Sequence, residues 1–267
     1  MTTRRRFLTT VAGVASAALL TAGVTTAAAE PSEVAHHNSP KPTVVLLHGA
    51  FADGSSWNGV TQRLQRDGYK VVVPAVPLRS IAGDTAYLSG VLSGIPGPKV
   101  LVGHSYGGAL VSQLAGTAGV KSLVYVAAFI PQAGETLGGL NSKYPGSQIG
   151  PDTTNTITYP GGADLVMKPE SFRQVFALGL PRSEAAVLGA SQRPVAAAVF
   201  GEPIAKTAPA GLPKYAVVAT GDHAIPPAAE RYMAQRAHAT TVELDGPHLI
   251  AVSHPEKVTQ VIERAAR

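Results

Sequence analysis

The 267-residue sequence contains no cysteine. Disulfides and thiolate metal sites are therefore excluded, and the fold must be held by its core. Charged residues are scarce at 15%, against 45% hydrophobic residues. That balance argues against a disordered chain and supports a sizeable core. No cluster of Lys or Arg follows the first few residues, so nucleic acid is not an expected partner. After the N-terminus no apolar run is long enough to span a bilayer, and no stable membrane association is expected. No internal repeat is visible. The adjacent His36 and His37 have no matching ligands beside them, so no metal site is expected.

The N-terminus, "MTTRRRFLTTVAGVASAALLTAGVTTAAAE", has a basic start, an apolar middle and an alanine-rich end. Residues 1–29 read as a twin-arginine signal peptide cut after Ala29. The apolar part is short and rich in Thr, Gly and Ala, which argues against a membrane anchor. Losing this segment lowers the formal charge from +5 to +2, because it carries three arginines and no acid. The expected location is secreted or extracytoplasmic. Residues 30–42, "EPSEVAHHNSPKP", read as a polar leader.

Six short apolar segments follow: 43–47, 69–73, 99–103, 121–126, 215–219 and 240–244. Near-continuous apolar runs suit strands buried on both faces of a parallel sheet. Helical patterns lie between most of them. One places Trp57, Val60 and Leu64 on one side. The last places Val258, Val261, Ile262 and Ala265 on one face. Strands alternating with helices predict a doubly wound α/β sheet. The alternation breaks once, at about residues 129–213. That stretch is rich in Gly, Pro, Thr and Ser, then turns helical. It reads as a cap inserted before the penultimate strand, over the sheet edge where open α/β sheets bind ligands.

The chemistry centres on Gly103-His104-Ser105-Tyr106-Gly107, a G-x-S-x-G motif between the apolar run "KVLVG" and the helical run "YGGALVSQLAG". A strand–turn–helix of this kind exposes a hydroxyl beside the amides that open a helix. A serine needs a base, and the base needs an orienting carboxylate. Asp222 follows one strand and His248 the next, so the order Ser105, Asp222, His248 is that of an α/β-hydrolase triad. Asp245, three residues before His248, is the weaker acid candidate. His104 reads as structural, His223 as pointing elsewhere, and His254 as a capping or surface residue. Asp53 is placed at the mouth of the site without a partner. The oxyanion donors expected are the backbone N–H groups of Ala50 and Tyr106.

The segments "VLLHGAFADGSSW", "LVGHSYGG", "ATGDHAIPP" and "GPHLIAVSHPE" resemble the α/β-hydrolase superfamily. They are most similar to the small, capped esterases that include plant methyl esterases and hydroxynitrile lyases. The resemblance implies the same triad and oxyanion donors, and no cofactor. Two departures favour ester hydrolysis over C–C cleavage. The lyases carry a threonine where this chain has Gly49, and a lysine after the catalytic histidine where it has Leu249. The sequence therefore reads as an exported serine carboxylesterase for a small or medium ester. Phe51, Tyr106 and Leu249 are expected to form an apolar pocket. A lyase, lactonase or cofactor-free perhydrolase on the same triad, or a ligand-binding protein with a residual site, stays open. So does the oligomeric state.

Overall fold

The computed structural model describes residues 40–267, together with Thr10 and Gly13. The signal peptide and most of the polar leader lie outside the described residues. Residues 40–267 form one compact unit.

Six strands make one parallel sheet: β1 (Thr43–Leu47), β2 (Val71–Val72), β3 (Lys99–Ser105), β4 (Val120–Ala128), β8 (Lys214–Ala219) and β9 (Thr240–Leu244). Their order is β2-β1-β3-β4-β8-β9. Side chains alternate between two cores, as the two-residue strand period requires. Val44, Leu46, Val100, Val102 and Val124 face one core. It is completed by Trp57, by Leu64 of α1 (Asn58–Arg66) and by Ile262 of α9 (Pro255–Ala265). Val45, Leu47, Leu101 and Tyr125 face the other. Leu88 of α2 (Ile81–Ser93), Leu110 of α3 (Tyr106–Leu114) and Met233 of α7 (Pro227–Arg236) pack there. The chain runs outward from β1 to β2, then jumps back to place β3 on the other side of β1. This switch point opens a crevice at the carboxyl ends of β1 and β3. Both the Gly49 loop and Ser105 sit there. Among the described residues no helix is long and apolar enough to cross a membrane.

The segment between β4 and β8 carries α4 (Leu137–Asn141), α5 (Pro169–Phe176) and α6 (Arg182–Ala190). It also carries strands absent from the sequence reading: β5 (Thr154–Tyr159), β6 (Gly162–Met167) and β7 (Val195–Ala196) form an antiparallel sheet. Five of the six β5 residues are exposed, so "TNTITY" shows none of the apolar alternation of a half-buried strand. The hairpin turns at Pro160-Gly161, with Gly161 at φ +90°. Polar contacts bind this cap to the main sheet's loops. Arg79 pairs with Asp164 at 2.8 Å, and the Glu202 carboxylate accepts the Ile81 and Ala82 amides.

Candidate active site

Ser105 joins β3 to α3 with φ 52° and ψ −119°, a conformation that L-residues avoid. The two motif glycines make it possible. A Cβ on Gly103 would lie 2.3 Å from the Gly107 carbonyl oxygen, and one on Gly107 would lie 2.6 Å from the Leu47 oxygen. Strand, turn and helix are packed so tightly that only glycine fits at both places. Ser105 is 6% exposed.

Asp222 and His248 are both buried and meet directly. His248 Nδ1–H donates to Asp222 Oδ2 at 2.5 Å. The Ala224 and Ile225 amides donate to Asp222 Oδ1 at 2.6 and 2.9 Å. Three donors therefore fix that carboxylate, and with it the tautomer of the imidazole. His248 Nε2 is left without a hydrogen-bond partner. Asp245 is exposed and reaches only the Thr220 hydroxyl, at 3.5 Å.

His104, His223 and His254 have other partners. His104 Nε2–H donates to the His248 carbonyl at 3.0 Å, and its ring stands 4.6 Å from the His248 ring. Burial and the neighbouring His248 hold His104 well below the ordinary histidine pKa, so it is neutral. It ties the residue before Ser105 to the backbone of the His248 loop. His223 contacts the Gln174 carbonyl of α5, away from this pair. His254 precedes α9 and bonds the Ser253 hydroxyl. Asp53 accepts from the Ser55 amide and caps a 3-10 turn at Gly54–Trp57.

The loop after β1 lies against the nucleophile. A Cβ on Gly49 would sit 2.7 Å from Ser105 Cβ. His48 holds this loop in a way the sequence alone does not reveal. Its Nδ1–H donates to the Gly49 carbonyl, and its Nε2 accepts the Val76 amide, both at 3.0 Å. Burial lowers its pKa and keeps it neutral, as those two opposite roles require. In a trans peptide the carbonyl and the following N–H point opposite ways. Fixing the Gly49 oxygen therefore turns the Ala50 N–H away from His48. Tyr106 opens α3, where backbone amides lack intrahelical acceptors.

The Tyr106 side chain packs in the cap-side core and points at a buried acid. It is buried, and its hydroxyl donates to the buried Asp84 at 2.9 Å. Phe51 and Leu249 do share a wall, with Phe172 and Leu188 of the cap, but the crevice of about 10 Å³ holds one water at most. Phe51 also contacts Phe176 and Phe200 of the cap, with ring centroids 5.7 and 6.5 Å away. Neither phenylalanine was singled out from the sequence. Periodicity in "PESFRQVF" marks Phe172 and Phe176 as buried, but not what they bury against. A larger cavity, about 610 Å³, lies within the cap. Phe200 lines it together with Asn141, Tyr144, Ile149 and Leu165, and none of its lining residues is charged.

The family model for the alpha/beta hydrolase family matches residues 44–261, nearly the whole described unit. The chain belongs to that family. Among curated relatives, it is similar to a pyrethroid hydrolase of Sphingobium wenxiniae, 27% identical over 82% of this chain and 85% of that protein. A carbendazim hydrolyzing esterase of Nocardioides sp. is 33% identical over 116 residues. That match covers 37% of this chain and 47% of the relative, so the chain spans about half the length of that protein. Among solved structures, a methylesterase from Arabidopsis superposes with a TM-score of 0.69 at 19% identity. The match covers 84% of this chain and 98% of that one. Identity that low speaks for the fold alone.

Proposed function

We propose that this alpha/beta hydrolase is an exported serine carboxylesterase. One observation carries the reading. The strained Ser105 elbow is joined, through the neighbouring His104 ring and the His248 carbonyl, to the loop of a buried Asp222–His248 pair whose Nε2 is unpaired. In the proposed cycle Ser105 Oγ attacks the acyl carbon and His248 Nε2 takes its proton. The Ala50 and Tyr106 amides receive the oxyanion. His248 passes the proton to the departing alcohol. Water, deprotonated by the same nitrogen, then releases the acid and regenerates Ser105. Asp222 holds the imidazole and balances its charge.

Hydrolysis is favoured over a lyase reaction by the packing at Gly49, which leaves no space for a side chain beside Ser105. Leu249, buried next to His248, offers no cation to a departing cyanide. The side chains packed around His248 and the Gly49 loop, Phe51, Phe176 and Leu249, are apolar and favour an uncharged ester. The pyrethroid hydrolase and carbendazim hydrolyzing esterase relatives support hydrolytic chemistry of this kind. The N-terminal Arg4-Arg5 pair supports export, tested by secretion of a variant with both changed to lysine.

Turnover of p-nitrophenyl esters of graded chain length tests the reading. Ser105→Ala should cut the rate roughly 10⁴-fold or more while the far-UV spectrum stays unchanged. An organophosphorus reagent should label Ser105. A folded Ser105→Ala variant that still turns over esters would refute the assignment, as would a wild-type protein that binds esters without cleaving them.

A further inference from the structure

Glu230 lies on the first turn of α7, directly behind Asp222, and has no part in the cycle above. It is 2% exposed. Its Oε2 accepts the Ala219 amide at 3.2 Å. Its Oε1 is buried and meets no donor. A carboxylate in that position would leave a charge beside the Asp222 carboxylate, with one oxygen unsolvated.

The two acids cannot both be ionised in so small a buried space. The donor inventory decides which one carries the charge. Asp222 receives two amides and the His248 imidazole. Glu230 receives one amide. The anion therefore belongs on Asp222 and the proton on Glu230. Since Oε2 already accepts an N–H, the proton sits on Oε1, where Asp222 is the acceptor at hand. The charged groups around the pair fit this placement. Arg231, next along α7, is turned outward into a bidentate pair with Glu243 of β9 and does not neutralise Glu230. On its far side Asp222 faces His248. Burial, followed by the nearby Asp222, pushes the Glu230 carboxyl well above the usual range.

We infer that Glu230 is a positioning residue: a neutral carboxylic acid whose O–H is donated to Asp222, so that the acid of the Asp222–His248 pair is held by a fourth hydrogen bond. The inference rests on the reading of Ser105, Asp222 and His248 as a triad. The donated proton spreads the negative charge of Asp222 and lowers its basicity. The proton between Asp222 and His248 then stays on His248 Nδ1 when the imidazolium forms. The bond also stops the carboxylate from rotating away from the ring.

The test compares Glu230→Gln with Glu230→Leu in the full chain. Glutamine is neutral, nearly isosteric and supplies an N–H in place of the O–H. Leucine supplies nothing. Glu230→Leu should lower kcat roughly tenfold or more with KM little changed, since the lost bond is one to a charged group. Glu230→Gln should recover activity to within about threefold of the parent. At neutral pH, where exposed carboxylates are ionised, the infrared spectrum of the parent should show one protonated-carboxyl C=O band. That band should vanish in Glu230→Gln. The infrared arm needs no turnover, so it stands even if Glu230→Leu fails to fold or the ester substrate is wrong. Loss of activity in Ser105→Ala reports separately on the triad. A missing band in the parent, or Glu230→Gln as impaired as a folded Glu230→Leu, would overturn the inference.

Discussion

The Phe176 ring stands edge-on to the His248 imidazole, with centroids 4.9 Å apart and planes at 87°. The Phe176 carbonyl also accepts the Leu249 amide at 2.9 Å. The end of cap helix α5 is thus locked to the loop that carries the proposed base. The same ring contacts Phe51 beside the Ala50 amide. One cap residue therefore packs against both the His248 ring and Phe51 of the loop after β1.

Phe176→Ala should open this packing. Removing a buried phenylalanine costs about 3 kcal/mol of stability or more, read as a lower urea midpoint. Against that background, the ratio of long-chain to short-chain ester turnover should rise. A ratio that stays constant would mean that substrate enters by a route that does not pass Phe176.

Asp222→Asn should keep the fold but lower kcat by roughly 10⁴-fold, because the amide no longer enforces the His248 tautomer. Asp245→Asn should change it less than twofold, since the exposed Asp245 touches only Thr220. Rate measurements on both variants, with thermal melts as a folding control, check the assignment. Reversed effects would transfer the acid role to Asp245.

Gly49→Ala tests the proposed oxyanion loop. The new methyl would lie 2.7 Å from Ser105 Cβ and 3.0 Å from His104 Nδ1. Neither neighbour has room to retreat, because Ser105 and His104 are both buried, and the His104 carbonyl oxygen lies 3.2 Å from the same methyl. The expected outcome is a loss of kcat of at least roughly 10²-fold, the scale for losing one oxyanion donor. A threonine here should be worse still and should not confer cyanohydrin cleavage. Normal turnover by Gly49→Ala would show that the loop is not part of the site.

The buried Glu230 makes a prediction about stability and pH. Burial and Asp222 raise its folded pKa above that of the unfolded chain. Between those two values the folded protein binds more protons than the unfolded one, so this group's contribution is lost as pH rises. The contribution is complete below about pH 4.3, the ordinary glutamate value, and declines from there up to the folded pKa. Glu230→Gln has no such proton to bind. Its stability relative to the parent should therefore increase as pH rises above about 4.3 in urea titrations. A constant offset across that range would mean that Glu230 titrates normally.

The parallel sheet and its six strands were readable because their causes are local or periodic, whereas the strand order came only with the structure. Runs such as "TVVLL" and "KVLVG" are apolar throughout, as doubly covered strands must be. The edge strand was harder. Residues 69–73 contribute only Val71–Val72 to the ladder, paired with Val44 and Val45 of β1. The cap hairpin was hidden for a related reason. Strand β5 lies mostly in solvent and leaves no apolar imprint, while its Pro-Gly turn looks like an ordinary loop.

Within the site, the available chemistry was legible along the chain. The Gly-x-Ser-x-Gly spacing follows from steric exclusion at two backbone contacts, and the strand ends that carry Ser105, Asp222 and His248 follow from their positions after apolar runs. The environment of those groups came from long-range packing. His48 and His104 look alike on the page, each beside a glycine, yet one pins the Gly49 carbonyl and the other the His248 carbonyl. Glu230 sits in a helix that reads as an ordinary surface segment, "AAERYMAQR". Its carboxyl becomes an acid only because packing α7 beneath β8 removes water and sets Asp222 beside it. Chain order carries no such information, since protonation depends on distances between residues that folding alone brings together.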